Sequence, residues 1–399
     1  MSQKTMKPCP LTGRTDLEMV FELKNVPVIC NQLWSTAEAA KGAPMCDVDL
    51  AMCPESGLIS NVSFEEEKIA YAPGYENALH FSPRFQSFAE ELVAGLVERH
   101  DLKGKDVVEI GCGDGHILSL MMKHGVRSAT GFDPSMAGKT SEYMATPGVE
   151  ILPEYFRSDQ LDRPFDIVLC RHVLEHLPAP MMVMSEIRKA IGDREVPIYF
   201  ETPNAEWMLG AFSMWDVIYE HVTYWSAPAY ETLFRRAGFK PASITTGYGD
   251  QFMMVEGAPR EPEPTFLPSE EERARVRALA RAFGDKCSAE LNAWRKRLAA
   301  LAHEGGSAVV WGAGSKGITF SNAVSTNAQA GATIRALVDV NARKHGMYAP
   351  GVGVPVIGPE ALRDVAPSLV LVSNEIYLDE IKAMIGELGL TPEFAVIAG

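Results

Sequence analysis

The chain has 399 residues, enough for two or three domains, and 46% of them are hydrophobic while 22% are charged. Such a composition can bury a large core, which excludes a disordered tail. With 37 Lys and Arg against 52 Asp and Glu, the formal net charge is −15. Because phosphates are neutralised by clustered cations, this balance argues against nucleic acid or an anionic membrane surface as the main partner.

Residues 1–70 are predicted to form a small N-terminal module, rich in turns. The chain start has no apolar signal core, and no apolar run approaches the ~20 residues of a membrane-spanning helix. We therefore expect a soluble, cytoplasmic protein with reduced thiols. Four of the seven cysteines fall in this module: Cys9, Cys30, Cys46 and Cys53.

Residues 71–258 predict an α/β domain. The stretch SPRFQSFAEELVAGLVERH has apolar residues at helical spacing, with Ser82 as N-cap before Pro83. Four strand-like segments then alternate with helical ones: VVEIGC, ATGFD, FDIVLC and PIYFETP. Alternation of this kind predicts a parallel sheet with helices on both faces, a Rossmann-like arrangement.

The rest of the chain predicts a connection and a second α/β domain. Residues 259–305 begin with four prolines in ten residues, a linker, and continue as a long charged helix that ends at Gly305-Gly306. Residues 306–399 open with a new strand–glycine–helix unit, AVVWGAGSKG. The expected fold class is therefore α/β, with two Rossmann-like domains behind a small module.

The segment VVEIGCGDGHIL predicts a ligand-binding turn. Gly111, Gly113 and Gly115 follow a buried strand, where glycines allow a tight turn and close approach of a ligand. Glu109 precedes them, and Asp133 ends the next strand at the place of a carboxylate that grips two ribose hydroxyls. The G-x-G-x-G order differs from the G-x-G-x-x-G dinucleotide pattern. A plain strand–helix turn is the alternative interpretation.

The segment DVIYEHVTYWS offers acid–base chemistry. A neutral His221 imidazole is suited to be a general base, and the adjacent Glu220 carboxylate could orient it. Tyr219 or Tyr224 could donate a hydrogen bond to a developing oxyanion. The alternative is a loop histidine with a satisfied hydrogen bond.

The segment VVWGAGSKG contains a literal G-x-G-x-x-G at Gly312, Gly314 and Gly317, and Asp339 ends the following strand. This local pattern is typical of nicotinamide-dinucleotide binding, but the pattern by itself does not fix the function. Asn374 lies at the carboxyl end of a further strand, where open sheets place ligands. Substrate contact, a structural turn and bound NAD all stay open here.

The first glycine motif, together with its following acidic residue, resembles motif I of class I S-adenosylmethionine (SAM) methyltransferases. The resemblance implies that Asp133 holds the ribose and that Phe132 lies beside the adenine. Tyr155 and Phe156 are adenine-side candidates or ordinary core aromatics. The full set of SAM contacts implied within this domain is Glu109, Gly111, Cys112, Gly113, Gly115, Phe132, Asp133, Tyr155, Phe156, Arg171 and His172.

The whole layout resembles the sugar C-methyltransferases that act on nucleotide-linked 4-ketosugars. The likeness includes YAPGYENALHFSPRF, the Y-E-H segment, WGAGSKG and LVSNEIY, although the family typically has Y-H-E-H. It implies that the Tyr219-Glu220-His221 segment supplies the base that forms an enolate. Tyr75 and His80 would reach SAM or substrate, or pack between modules. Substrate contacts are implied for Asn204, Tyr224, Gly314, Ser315, Lys316 and Asn374.

The resembled family binds structural zinc through two C-x-x-C pairs. Here the matching positions are Cys9, Thr12, Cys53 and Ser56, so half of each pair is missing. Zinc prefers four N or S ligands. We therefore expect that the metal has been lost and that packing holds the module, with a site rescued by Cys30 or Cys46 as the alternative.

The leading hypothesis is thus a SAM-dependent C-methyltransferase acting on a small molecule such as a nucleotide-diphosphate sugar, without nucleic acid or membrane partners. The runner-up is an O- or N-methyltransferase that uses the same base on a hydroxyl or amine. A two-Rossmann protein that binds NAD, and a non-catalytic SAM-binding scaffold, are the further alternatives.

Overall fold

The computed structural model describes residues 7–69, 82–161 and 164–397. Its strands are β1 (Glu18–Pro27), β2 (Met45–Met52), β3 (Ile59–Asn61), β4 (Asp106–Ile110), β5 (Ser128–Phe132), β6 (Val149–Leu152), β7 (Ile167–Arg171), β8 (Ile198–Pro203), β9 (Thr223–Tyr224), β10 (Phe239–Gly247), β11 (Phe252–Pro259), β12 (Ala308–Trp311), β13 (Ile334–Val338), β14 (Val356–Ile357), β15 (Leu369–Val372) and β16 (Glu393–Val396). Its α-helices are α1 (Ala37–Lys41), α2 (Pro83–Arg99), α3 (His116–Lys123), α4 (Pro180–Ile191), α5 (Ala205–Gly210), α6 (Ala227–Arg236), α7 (Glu270–His303), α8 (Ser315–Ser325), α9 (Ala328–Thr333), α10 (Leu362–Val365) and α11 (Leu378–Glu387).

The central sheet has seven strands in the order β10-β11-β8-β7-β4-β5-β6. Strands β8, β7, β4, β5 and β6 are parallel, and β11 and β10 add an antiparallel edge. Val107 packs into the core beneath α2, whereas Val108 packs into the core that includes Met184 and Ile187 of α4. Burial on both faces explains why β4 is an uninterrupted apolar run in the sequence.

A five-stranded parallel sheet forms the C-terminal domain, in the order β14-β13-β12-β15-β16. It repeats the two-sided pattern, because Val309 packs with Ile381 of α11 and Val310 packs with Ile318 of α8. The prediction of two Rossmann-like α/β domains is therefore confirmed. In both sheets the strand order reverses beside the glycine turn, which is where such sheets place ligands.

The long helix α7 joins the two domains. Its N-terminus has a complete capping box, in which Ser269 and Glu272 satisfy each other's backbone N–H groups. The helix also supports the N-terminal module, since the Phe21 and Phe283 rings lie edge to face at 5.4 Å. A Cβ atom added at Gly284 would lie 2.3 Å from the Val20 carbonyl oxygen, so only glycine permits this approach of α7 to β1.

The N-terminal module is a small antiparallel sheet, and its last strand comes from the central domain. The order is β1-β2-β3-β9, with Ile59 opposite Tyr224 and Ser60 opposite Thr223. The segment 216–226 is therefore fixed between the module and the central sheet. This pairing sets the position of His221, which precedes β9 by two residues.

Candidate active site

One large cavity, with a volume of about 1290 Å³, connects the two α/β domains. Its wall includes the glycine turn after β4, the end of β7, the segment around His221 and the glycine turn after β12. Both parallel sheets therefore direct their carboxyl ends into the same space. Tyr75 and His80 lie outside the described residues, so their predicted contacts stay predictions.

The glycine turn after β4 is built for close approach. Gly111 has φ of 72°, and a Cβ atom there would lie 2.1 Å from Val173 Cγ2. Gly113 has φ of 53° and faces open space, and its N–H donates to Asp133 Oδ2 at 2.8 Å. Gly111, Cys112 and Gly113 line the cavity. Gly115 starts α3 behind the lining, where its φ of 90° shapes the turn.

Glu109 presents an unusual carboxyl group to this cavity. Its side chain is only 2% exposed, and Oε2 has no hydrogen-bond partner among the described residues. Burial raises the pKa of Glu109 to about 7, although Arg171 nearby acts in the opposite direction. A buried acceptor without a partner is costly, so this atom is positioned for a ligand that donates hydrogen bonds.

The ribose and adenine candidates lie at the end of β5. Asp133 accepts from the backbone N–H groups of Gly113 and Ser135, which fixes the carboxylate at the cavity wall. The rings of Phe132 and Phe156 meet edge to face at 5.1 Å and both line the cavity. Tyr155 lines it too, but 71% of the residue is exposed, so it stands at the rim.

Charged side chains contact one another at the carboxyl end of β7. Arg171 Nη2 donates to Glu201 Oε1 at 2.7 Å, and Arg171 and His172 both line the cavity. His172 has φ of 52° and lies between two carboxylates, with Nε2 3.0 Å from Glu201 Oε1 and Nδ1 3.4 Å from Glu175 Oε1. Burial disfavours the imidazolium, but these contacts prevail and raise the pKa of His172 to about 9.

Within the Tyr219-Glu220-His221 segment, Glu220 and His221 line the cavity, and Glu220 Oε1 has no hydrogen-bond partner among the described residues. The Tyr219 hydroxyl accepts from the Glu65 N–H at 2.8 Å, and its side chain belongs to the core rather than the cavity wall. Glu220 Oε2 accepts from the backbone N–H of Cys30 at 2.7 Å, and burial raises the pKa of Glu220 to about 8. Both side chains thus tie the segment to the N-terminal module.

Glu175 and His176, rather than Glu220, are the charged and polar neighbours of His221. One ligand atom from each of Glu175, His176 and His221 lies within 4.8 Å of the others. The rings of His176 and His221 are 5.1 Å apart, and all three residues line the cavity. Burial and the nearby His176 lower the pKa of His221 to about 3, whereas the Glu175 carboxylate acts in the opposite direction. This group was not predicted from the sequence, although Glu175 and His176 are adjacent in the segment CRHVLEHL, residues 170–177.

Backbone hydrogen bonds hold the segment against the E-H pair. The Val222 N–H donates to the Glu175 carbonyl oxygen at 2.7 Å, and Thr223 Oγ1 donates to the Leu174 carbonyl oxygen at 2.9 Å. His176 Nδ1 donates to the Glu220 carbonyl oxygen at 3.0 Å. These hydrogen bonds fix the backbone that carries Glu175, His176 and His221.

The two remaining substrate candidates of the central domain line the cavity with their polar groups already bonded. Tyr224 Oη lies 3.1 Å from both the N–H and the carbonyl oxygen of Ile218. Asn204 caps α5, accepting from the Glu206 and Trp207 N–H groups. Each residue can shape the wall, and their contact with a substrate stays a prediction.

The second glycine turn forms a cationic corner of the same cavity, lined by Gly314, Ser315 and Lys316. Lys316 Nζ lies 2.9 Å from Asp216 Oδ2 and 4.8 Å from the centre of the Trp207 ring.

The carboxylate at the ribose position of this second turn is already paired. Asp339 Oδ2 accepts from the Ala313 N–H and from Lys344 Nζ, each at 3.0 Å. Asn374 pairs with the Gln251 amide at 3.0 and 2.8 Å, which links the two α/β domains across the cavity. The corner therefore offers backbone and lysine groups to an anion.

The four residues at the positions of the zinc motif, of which two are no longer cysteine, lie close together in the structure. Thr12 Oγ1 lies 3.3 Å from Cys53 Sγ, and Cys9 Sγ lies 3.7 Å from Ser56 Oγ. Two thiols and two hydroxyls do not fit the N and S donor set that structural zinc prefers. Cys30 is elsewhere, with its Sγ 3.7 Å from Thr319 Oγ1 in the C-terminal domain.

Comparisons with known proteins assign both domains. Residues 84–244 match the family model described as a methyltransferase domain. Residues 256–388 match the model described as a C-methyltransferase C-terminal domain. Among the part of the chain that the structure describes, no helix is long and apolar enough to cross a membrane.

Curated relatives match parts of the chain. A tRNA U34 carboxymethyltransferase of Nautilia profundicola is 29% identical over 128 residues, covering 29% of this chain and 39% of the relative. A ubiquinone biosynthesis O-methyltransferase of Idiomarina loihiensis is 31% identical over 150 residues, covering 33% of this chain and 56% of the relative. The chain thus spans about two fifths to just over half of these relatives.

Among solved structures, the SAM-bound magnesium protoporphyrin IX methyltransferase of Synechocystis PCC 6803 is 19% identical, with a TM-score of 0.34, covering 44% of this chain and 80% of that one. The family models and the seven-stranded sheet carry the assignment. Over most of its length, the chain matches a methyltransferase domain, which contains the seven-stranded sheet, followed by a C-methyltransferase C-terminal domain.

Proposed function

We propose that this protein transfers the methyl group of SAM to a carbon atom beside the ketone of a small, nucleotide-linked sugar. The observation that carries the proposal is the position of His221, with Glu175 and His176, on the wall of the cavity that also contains Glu109 and Asp133. A base and a cofactor site that share one space are what methylation at carbon requires.

The residues after β4 and β5 fit SAM. When bound, SAM supplies an electrophilic methyl group beside a positively charged sulfur. The unpartnered Glu109 carboxylate would accept hydrogen bonds from the ammonium group of the cofactor, and the open space over Gly113 admits its chain. Asp133 would bind the ribose hydroxyls, with Phe132 and Phe156 beside the adenine.

His221 would take the proton from the carbon next to the ketone. The electron pair of that C–H bond then becomes the enolate, whose carbon accepts the methyl group while S-adenosylhomocysteine leaves. Glu175 would favour the imidazolium that forms, against the burial and the neighbouring His176 that lower the pKa of His221. Arg171 and His172, both cationic, also line this part of the cavity and would stabilise the negative charge of the enolate.

The cationic corner supports a nucleotide diphosphate as the carrier of the sugar. Lys316 and the backbone of Gly314 and Ser315 face the cavity, so phosphate oxygens could bind there while the sugar reaches His221. The net charge of −15 disfavours a large nucleic-acid substrate such as tRNA. Pairing of Asp339 with Lys344 leaves that carboxylate less suited to the ribose of NAD.

The test is to identify the methylated atom. The protein is incubated with SAM carrying a ¹³C-labelled methyl group and a panel of nucleotide 4-ketosugars. We expect a new carbon-bound methyl signal in the ¹³C NMR spectrum of the product. A methoxy or N-methyl signal would instead support the O- or N-methyltransferase alternative, and methyl transfer to none of the ketosugars would refute the assigned substrate class.

A further inference from the structure

The Glu175, His176 and His221 group has the composition of a metal site. Two imidazoles and one carboxylate form the three-ligand set found around catalytic zinc and non-haem iron, which leave open coordination positions. Their ligand atoms lie within 4.8 Å of one another. Side-chain rotations that shorten these separations to about 3.4 Å would place them around a tetrahedral ion at ~2.1 Å. Among the described residues, no other group of three His, Cys, Asp or Glu meets this criterion.

The hydrogen bond of the His176 imidazole also matches that of a metal ligand. A metal-bound histidine usually donates its second ring nitrogen to a carbonyl or carboxylate, which fixes the tautomer. Here His176 Nδ1 is bonded to the Glu220 carbonyl oxygen, which leaves Nε2 available. One ring nitrogen of His221 lies within 4.8 Å of the ligand atoms of Glu175 and His176. The His176 ring is therefore held with its second nitrogen free for an ion that the three side chains would share.

The Glu175 carboxylate is also positioned like a metal ligand. Glu175 is 2% exposed, and its Oε2 has no hydrogen-bond partner among the described residues. Its Oε1 faces the His172 ring at 3.4 Å. One oxygen is thus oriented by a neighbour while the other is buried and unsatisfied, the arrangement of an anchored carboxylate ligand. The cavity lies on the open side of all three groups.

We propose that Glu175, His176 and His221 bind a divalent transition-metal ion of the Zn²⁺ class at the wall of the cavity. The lone pair of His221 cannot bind a metal ion and accept a proton at the same time. Metal occupancy therefore blocks the base, and the metal-free protein is the active form. This consequence rests on the proposed function, whereas binding itself does not.

Binding is measured on the full chain after chelator treatment, with Zn²⁺ in calorimetry and Co²⁺ in absorption spectroscopy. We expect one ion per chain with the Co²⁺ spectrum of imidazole and carboxylate ligands, lacking a thiolate charge-transfer band. Glu175→Gln and His221→Gln should each weaken binding by ~100-fold or more, since even outer-sphere partners cost 10–100-fold. SAM binding checks that both variants are folded.

Two matched variants separate this site from adventitious binding. His124→Gln removes an imidazole that pairs with Glu90 away from the cavity and should leave metal binding unchanged. Cys53→Ser removes an N-terminal thiol and should also leave it unchanged. Metal binding that survives His221→Gln, or that is lost only in Cys53→Ser, would overturn the proposed site.

The consequence has its own readout. In a methyl-transfer assay, Zn²⁺ should lower turnover over the same concentration range in which it binds, and a chelator should restore it. A turnover that rises with Zn²⁺ would overturn the inhibitory role while leaving the site intact. If no acceptor is methylated under any condition, the proposed function fails, and the binding measurements still decide whether the metal site exists.

Discussion

At the scale of single residues, the candidate site is governed by which buried polar groups already have partners. Tyr219 accepts from the Glu65 N–H, whereas Glu220 accepts from the Cys30 N–H through Oε2 and keeps Oε1 without a partner among the described residues. Glu109 and Glu175 each keep one oxygen without a partner among the described residues, and both line the cavity. Unsatisfied acceptors on the cavity wall mark these carboxylates as places where a ligand that donates hydrogen bonds could bind.

The Glu109 carboxylate should lower the stability of the protein without SAM and strengthen the binding of SAM. Its pKa of about 7 exceeds the unfolded value of 4.5, so the neutral carboxyl stabilises the fold at low pH, and this contribution is lost as pH rises through 7. Arg171, Glu201, Asp133 and Asp114 are the charges that face it. At pH 8 without SAM, Glu109→Gln should increase the free energy of unfolding, by up to about 3 kcal/mol, and weaken SAM binding.

Denaturant unfolding at pH 5.5 and pH 8, together with SAM calorimetry, checks this expectation. The matched control is Glu195→Gln, which alters an exposed glutamate and should change neither quantity. A Glu109→Gln variant that loses stability at pH 8 would contradict the raised pKa of this carboxyl group, and one that binds SAM as tightly as the wild type would show that the group does not contact the cofactor.

His221→Gln should lower turnover by at least ~100-fold while SAM still binds, because the amide keeps the shape of the segment but cannot accept the proton. Single-turnover kinetics with saturating SAM measures the effect. His124→Gln, at the end of α3 and bonded to Glu90, should retain full activity. Equal turnover in the His221 variant and the wild type would remove His221 from the mechanism.

At the scale of elements, the sequence predicts what is local and misses what is distant. Strand–glycine–helix units depend on neighbouring residues, so both parallel sheets and both glycine turns could be predicted. The partner of Glu220 is Cys30, which lies 190 residues away, so no local pattern could reveal that contact. The proximity of His176 to His221 depends on the pairing of β9 with the N-terminal sheet, so the sequence pattern did not bring these two side chains together.

The N-terminal module should regain zinc by two substitutions. Its thiol and hydroxyl pairs are separated by 3.3 and 3.7 Å, close to the ~3.8 Å between sulfurs around zinc. The double variant Thr12→Cys with Ser56→Cys should bind Zn²⁺ far more tightly than the wild type and unfold at a higher temperature when loaded.

Co²⁺ absorption distinguishes this site from the cavity, because four thiolates give a strong charge-transfer band. The single variant Thr12→Cys is the matched control and should bind more weakly, since it provides three sulfurs. A double variant without the band would mean that the remaining loop geometry no longer supports a tetrahedral site.

At the scale of the whole molecule, the cavity is shared by three parts of the chain. The central domain provides the carboxyl ends of β4, β5 and β7, and the C-terminal domain provides the glycine turn after β12. The N-terminal sheet pairs with β9 and so holds His221 between them. The amide pair of Gln251 and Asn374 connects the two α/β domains directly. Cofactor and acceptor would therefore enter one space from opposite domains.

Lys316→Ala should weaken binding of a nucleoside diphosphate by roughly 10-fold and leave SAM binding unchanged. The substitution removes a cation and also leaves Asp216, 2.9 Å away, as an unpaired negative charge beside the phosphates. Calorimetry with thymidine or uridine diphosphate measures the effect. Lys382→Ala, on α11 and directed at the Phe394 ring, is the control. Loss of SAM binding in Lys316→Ala would contradict the division of the cavity between the two domains.

Enolate formation is the central step of the proposed mechanism, and it can be observed without methyl transfer. The protein is mixed in D₂O with a nucleotide 4-ketosugar and S-adenosylhomocysteine, which fills the cofactor site but carries no methyl group. Proton NMR then follows the hydrogen on the carbon next to the ketone. We predict that the wild type replaces this hydrogen with deuterium and that His221→Gln does so at least ~100-fold more slowly. A ketosugar that binds but keeps its hydrogen in the wild type would contradict the account.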